Sequence, residues 1–283
     1  MLSLSLKGRK FFFIFVNDGS TDNSYELLTH YAKEYDRVFL IDLPSNSGQS
    51  YARNVGIKKA LEIGGLGIGF LDIDDCVSSD FFKILHNWSG LSVLVTGFQS
   101  MKHGAMIESG FEKLDDFSRL PNGRDYTKLL ATMKATFSSC NKIFPLKNIN
   151  FFPVGVKEED TIHSFEFFSK FDGEVVKVDN ATYFYCHDGI SSTKTLDFRI
   201  FDSIYVANNL KKLLLSIDMK EDADKVFDFF SSFVFRHRLK KSNFISFLFF
   251  LFLYCKVAYK WSIPKASILK VVAVYVKNKI NTF

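Results

Sequence analysis

Apolar and polar positions fall into blocks along the first hundred residues. The run "KFFFIFV" (10–16) is continuously apolar, as a strand buried on both faces requires. It breaks into "NDGSTDNS". The stretch "DNSYELLTHYAKEY" then carries Leu27, Leu28, Tyr31 and Ala32 at helical spacing, with Asp22 or Ser24 placed to cap its start. "RVFLIDL" predicts a second strand, and "SNSGQSYARNVGIKKALEIG" a loop and a helix ended by glycine. "LGIGFLDIDD" predicts a third strand ending in carboxylates, and "SSDFFKILHNW" a short helix. Three such alternations with short links predict an α/β layer fold with a mostly parallel central sheet, whose ligands sit at the carboxyl ends of the strands.

Further along, "LSVLVTGFQSMKHG" reads as a strand and turn and "YTKLLATMKA" as a helix. Two adjacent acids, Glu159 and Asp160, open a helix with Ile162, Phe165 and Phe168 on one apolar side, and "GEVVKVDNATYFYC" alternates enough for a strand or hairpin. Residues 1–200 are expected to form one domain and 201–283 a helical, basic and apolar extension.

Composition agrees with a packed protein. The 283 residues are 47% hydrophobic with five prolines, and 33 phenylalanines must enter a core, an interface or a lipid surface. Cys76, Cys140, Cys186 and Cys255 are scattered without a C-x-x-C pair, which argues against a disulfide scaffold or a thiolate zinc site.

Charge changes the picture at one end. The net charge of +5 is a property of the tail: residues 236–283 hold ten Lys or Arg and no acid, leaving 26 basic against 31 acidic residues before them. A mildly acidic body with no recognition motif predicts no nucleic-acid partner. Within the tail, the apolar run 244–255 spans about 18 Å as a helix, short of a hydrocarbon core near 30 Å. It reads either as a core helix or as an interfacial helix whose lysines snorkel toward anionic lipid, and the second reading is preferred. No complete signal peptide is expected, since the N-terminus has no cationic region before its first apolar residues and no small-residue cleavage site after Phe15.

The acids carry the candidate chemistry. Asp18 follows one strand end and Asp72, Asp74 and Asp75 follow another, so both clusters are expected at one crevice. Three carboxylates in four residues form either a solvated turn or an oxygen site for a divalent cation with a phosphate on its far side. Glu159 and Asp160 are either favourable first-turn acids or a general base above that crevice.

In order and spacing, "FVNDGSTDNS", "NSGQSYARNVGIKKA", "FLDIDD", "CNKIF" and "EEDT" closely resemble the family 2 glycosyltransferases of the GT-A fold, over about residues 11 to 190. The resemblance implies an α/β/α sandwich that moves a sugar, with inversion, from a nucleotide-diphosphosugar, expected to be a UDP-sugar, to an acceptor hydroxyl. It implies that Asp18 binds the nucleotide base, that Gly48 and Arg53 lie near the donor, and that Asp72 and Asp74 hold Mg²⁺ or Mn²⁺. Asp74 is then the more direct ligand, Asp72 stands near the ribose or a metal-bound water, and Asp75 is an additional acid of the donor site. Asp160 falls on the catalytic base with Glu159 beside it, and Asn141 and Lys142 match a pair before the acceptor side. The acceptor expected is a surface polysaccharide or lipid-linked glycan, reached by a peripheral protein at the cytoplasmic face of a bacterial membrane through residues 236–283.

Three departures accompany the resemblance. Family members begin with a further apolar strand ending in a Pro-x-Tyr-Asn-like segment, then a helix; here only "MLSLSL" precedes the "NDGSTD" strand, so a central strand is expected to lack a neighbour. Val154 stands where relatives often carry Glu, and Cys186 with His187 where an aromatic–Arg pair is common. The alternative function is therefore a truncated, inactive relative that binds or scaffolds at a membrane.

Overall fold

The computed structural model describes residues 2–7, 10–110, 113–187 and 202–238. The apolar stretch 244–255 and most of the basic tail lie outside them. The chain divides into two compact units, Met1–Gly155 with Glu159–Ile190, and Val156–Glu158 with Ser191–Phe283.

The first unit is built on β1 (Leu2–Lys7), β2 (Lys10–Asn17), β3 (Val38–Asp42), β4 (Gly67–Leu71), β5 (Cys76–Val77), β6 (Val93–Lys102), β7 (Ala105–Ile107), β8 (Arg119–Leu120), β9 (Lys142–Pro145) and β10 (Val175–Cys186). Its helices are α1 (Ser24–Glu34), α2 (Gln49–Glu62), α3 (Gly123–Ala131) and α4 (Glu159–Phe168). The strands order as β3-β2-β1-β4-β9-β6-β10-β5, with β7 on β6 and β8 on β10.

The α/β architecture is the expected one, but the sheet is mixed. Among the described residues, only β2 with β3 and β10 with β6 pair in parallel; the other seven pairings are antiparallel. The reason is interleaving. Following the pairings across the sheet, β2, β3, β4, β6 and β10 all run one way, while β1 and β9 are inserted between them in the opposite sense. The carboxyl ends of β2, β4 and β10 therefore still share one edge, which is where an α/β sheet presents its ligand crevice.

The slot beside β2 is filled by the chain itself. Leu2–Lys7 forms a hairpin with β2, pairing Leu2 with Phe15 through Lys7 with Lys10, and pairs on its other side with β4. The period-two sequence Leu-Ser-Leu-Ser-Leu suits that position. So β2 has a neighbour on each side, and the strand in the slot runs opposite to it.

The core is aliphatic and aromatic. Ile14, Val16, Ile57, Ile68, Val93, Val95, Phe144, Phe165 and Phe168 are each at most 1% exposed. Ile162, Phe165 and Phe168 are buried, as the α4 pattern predicts. Helix α1 departs from expectation: none of its residues is buried, and Leu27 and Tyr31 are exposed. Its N-cap is Asn23, and Asp22 instead accepts a hydrogen bond from the Ser24 amide at 3.0 Å. The expected helix over 78–88 is reduced to a 3-10 turn at Lys83–Leu85.

In the second unit, α5 (Asp202–Ser216) packs on α6 (Lys220–Arg238). Among the described residues no helix is long and apolar enough to cross a membrane.

Candidate active site

Three loops at the shared sheet edge supply the acids. After β2, Asp18 turns back over the loop that leads into α2. Its Oδ1 accepts from the Ser47 amide at 2.7 Å and its Oδ2 from the Gly48 amide at 2.9 Å. Gly19 has φ +68°, and a Cβ there would stand 2.6 Å from the Asn46 nitrogen, so the two loops approach by backbone alone. Asp18 and Gly48 are thus in direct contact.

Helix α2 then presents Arg53 on its buried side, 1% exposed. The guanidinium is shared. Nη2 donates to Asp72 Oδ1 at 3.1 Å, and Nη1 donates to Glu159 Oε1 at 3.1 Å and Asp160 Oδ1 at 3.0 Å. Nη2 also lies 3.8 Å from Cys140 Sγ, and the group stacks over the Phe152 ring at 5.1 Å. Burial alone would lower the arginine pKa, and the charges of Asp160 and Asp72 more than reverse that, so the guanidinium stays charged. Burial raises the Cys140 thiol, which is a neutral neighbour. Nε of Arg53 is buried without a hydrogen-bond partner.

The four residues 72–75 form a turn closed by the Asp75 amide donating to the Asp72 carbonyl at 3.1 Å. Their carboxylates part ways. Asp72 takes Arg53 and the Gln49 Nε2 amide at 2.9 Å. Asp75 points to β10, accepting from the Tyr183 hydroxyl and, at 2.8 Å, from the Cys186 amide. Burial pushes the Asp75 carboxyl up to about 6; these two hydrogen bonds oppose the rise, while the charges of Asp72 and Asp74 add to it. Asp74 is exposed at the corner of the turn.

Glu159 and Asp160 open α4, with side chains 15% and 26% exposed. Burial first, and the Asp160 charge second, push the Glu159 carboxyl up to about 7, against the pull of Arg53. The loop ahead of them is fastened to α2: Asn54 Nδ2 donates to the Phe152 carbonyl at 2.9 Å, and the Phe152 amide donates to Asn54 Oδ1 at 2.7 Å.

Arg53, Asp72, Glu159 and Asp160 are thus brought together, Asp18 and Gly48 form a second contact, and Asp75 is turned toward β10. Asn141 and Lys142 are fully buried behind this group. Lys142 Nζ donates to the Thr136 carbonyl at 2.9 Å, the Ser138 carbonyl at 2.5 Å and Asn141 Oδ1 at 2.9 Å; burial brings its pKa down to about 8. Asp115 completes the network, accepting from the Tyr126 hydroxyl at 2.6 Å and the Thr136 hydroxyl at 2.8 Å. Gln49, Asn54, Phe152 and Tyr183 were not singled out by sequence; the first two lie within the same α2 block as Arg53.

Among the described residues no group of three or more His, Cys, Asp or Glu side chains is arranged to hold a metal ion. Two carboxylates on one turn still suit Mg²⁺ or Mn²⁺ chemically. Such hard ions take oxygen ligands, and Mg²⁺ is commonly held by one or two carboxylates with substrate phosphates completing the shell.

The mixed α/β sheet, with acids gathered at the strand ends, is GT-A-like in fold. Over residues 3–104 the chain matches the glycosyl transferase family 2 model. It is 49% identical over 72 residues to the uncharacterized glycosyltransferase EpsJ of Bacillus subtilis, covering 25% of this chain and 20% of that protein. It is 35% identical over 94 residues to a teichoic acid poly(glycerol phosphate) polymerase of Staphylococcus epidermidis, covering 31% of this chain and 13% of that one. The matched segment therefore spans a fifth or less of either relative. In fold, the chain is similar to S. aureus TarS, with a TM-score of 0.54 at 18% identity, over 81% of this chain and 38% of TarS.

Proposed function

We propose that the chain is an inverting glycosyltransferase that moves a sugar from a nucleotide-diphosphosugar, a UDP-sugar, to a hydroxyl of a surface polysaccharide or lipid-linked glycan. One observation carries the reading: a single buried guanidinium, Arg53, joins Asp72 of the donor turn to Glu159 and Asp160 at the start of α4. Acids far apart in sequence are held at one edge, as a transfer between two substrates needs.

In this reading Asp18 and the loop amides it orders receive the nucleoside. Mg²⁺ or Mn²⁺ held by Asp74 and Asp72 would neutralise the charge that develops on the departing diphosphate. Asp160 takes the proton of the acceptor hydroxyl as its oxygen bonds to the anomeric carbon; the bond to the diphosphate breaks on the opposite face, which inverts the configuration. Asp160 suits the role better than Glu159 because it is the more exposed of the two, and Glu159 retains a proton up to near neutrality. Arg53 orients both.

The ten basic residues and absent acids of 236–283 support an anionic membrane surface as the place of work, at its cytoplasmic face in a bacterium. The test is release of UDP from a panel of UDP-sugars with extracted glycan acceptors, for the full chain and for Asp160→Asn. Acceptor-dependent release that Asp160→Asn lowers at least a hundredfold, with nucleotide binding retained, supports the reading. Release unaffected by Asp160→Asn would refute the assignment of the base.

A further inference from the structure

The three acids of the 72–75 turn do three different things, and Asp75 is the one turned toward β10. Both of its oxygens are occupied by β10, through the Tyr183 hydroxyl and the Cys186 amide. We propose that Asp75 is a positioning residue, a clasp that fastens the donor turn to β10 and so fixes where Asp74 is presented to a diphosphate-bound cation. This rests on the reading of the turn as the donor site.

The geometry around the clasp is rigid. Tyr183 is 1% exposed and its ring stacks on Phe98 at 5.6 Å, so the hydroxyl has no room to swing. Beyond Asp75 the chain continues directly into the two-residue β5, which pairs Cys76 with Phe184 and Val77 with Tyr183. The Ser78 amide donates to the Thr182 carbonyl at 2.9 Å, and the Thr182 amide to Ser78 Oγ at 3.0 Å. One side of the turn is therefore continuous with β4 and the other is laced to β10. Asp74 stands between two fixed points, with its exposed carboxylate at the corner. A ligand whose position is held before the cation arrives loses less freedom on binding, which is why supporting hydrogen bonds around metal ligands affect metal affinity.

A direct ligand and a clasp differ in what Tyr183 does. If Asp75 were itself a ligand, removing the Tyr183 hydroxyl would free it to bind. If Asp75 is a clasp, Tyr183→Phe and Asp75→Asn should act alike. The experiment measures UDP binding to the full chain across a Mn²⁺ titration, with amide hydrogen exchange of residues 72–77 and 186 measured on the same proteins. The expected result is a three- to tenfold rise in the Mn²⁺ concentration for half-maximal UDP binding in both variants, unchanged UDP affinity at saturating Mn²⁺, and exchange at Cys186 at least tenfold faster. Wild-type Mn²⁺ dependence in Tyr183→Phe, or unchanged exchange, would overturn the clasp. Complete loss of Mn²⁺ dependence in Asp75→Asn with none in Tyr183→Phe would make Asp75 a ligand and also overturn it. Faster exchange in a protein whose wild type shows no Mn²⁺-dependent UDP binding would instead refute the donor-site reading, and with it the role assigned to the clasp.

Discussion

Replacing Arg53 by methionine keeps most of the side-chain volume and removes the charge on which three carboxylates converge. Exposed ion pairs contribute about 0–1 kcal/mol, but breaking a buried one typically costs about 3–5 kcal/mol, because the partner is left charged and unpaired. Arg53 belongs to the second class at 1% exposure, while its partners, Asp72, Glu159 and Asp160, remain 15–26% exposed and keep some water. The expected loss is therefore near the lower end, about 3 kcal/mol at pH 8. The pH dependence has a definite sign. Without the guanidinium the Glu159 carboxyl loses the charge that opposes its rise, so the folded variant takes up a proton more readily than the unfolded chain as pH falls and recovers stability. Glu159, already raised to about 7 beside Arg53, leads that recovery. Urea unfolding followed by circular dichroism at pH 8 and pH 5.5 should show the deficit shrinking by about half on acidification. A deficit under about 1 kcal/mol at pH 8, or one that does not shrink, would refute the account of Arg53 as the charge holding the site together.

Three further outcomes follow from the same geometry. Glu159→Gln should gain stability over the wild type as pH rises from 4.5 to 7, by up to about 3 kcal/mol, since a carboxyl with a raised folded pKa loses its contribution as pH climbs through that range; paired urea curves check it. His163, fully buried and stacked on Phe152 at 3.9 Å, has its pKa brought down to about 3 by burial and by the Arg53 charge, so the folded state needs it neutral. The wild type should therefore lose stability as pH falls from about 6.5 toward 3, and His163→Leu should flatten that slope in a pH series of thermal melts. Gly123→Ala should destabilise by about 3 kcal/mol in thermal unfolding, because its Cβ would stand 2.4 Å from the Phe168 carbonyl oxygen and 2.7 Å from that of Phe171, both backbone atoms at the C-terminal side of α4.

The layered pattern of the first hundred residues was legible because apolar runs and glycine-punctuated loops alternate there, and the structure has strands and helices where they fall, except over 78–88, where a 3-10 turn replaces the expected helix. The sheet's mixed character was not. Sequence periodicity reports that a segment is a strand, and nothing in it states which neighbour the strand will find; β1 and β9 enter between strands that run the other way. The Leu-Ser alternation of β1 did carry a strand signal, but one of only six residues. In α1 the helical spacing of Leu27 and Tyr31 suggested a buried face, yet the helix packs on the edge strand β3, where little covers it. Among candidate site residues, the acids stood out by type and by position after strands. The partners that give each acid its role, Gln49 on Asp72 and Tyr183 on Asp75, are separated from them by 23 and 108 residues, and only the folded sheet brings them together.

The central claim, that the Asp18 and 72–75 loops form a metal-dependent nucleotide-diphosphate site, is tested most directly by calorimetric titration of the full chain with UDP, with and without Mn²⁺, beside Asp74→Ala. The account predicts binding that requires Mn²⁺ and is lost in Asp74→Ala while the variant remains folded. Absence of binding to UDP, GDP and dTDP by the folded wild-type protein in the presence of Mn²⁺ would contradict it.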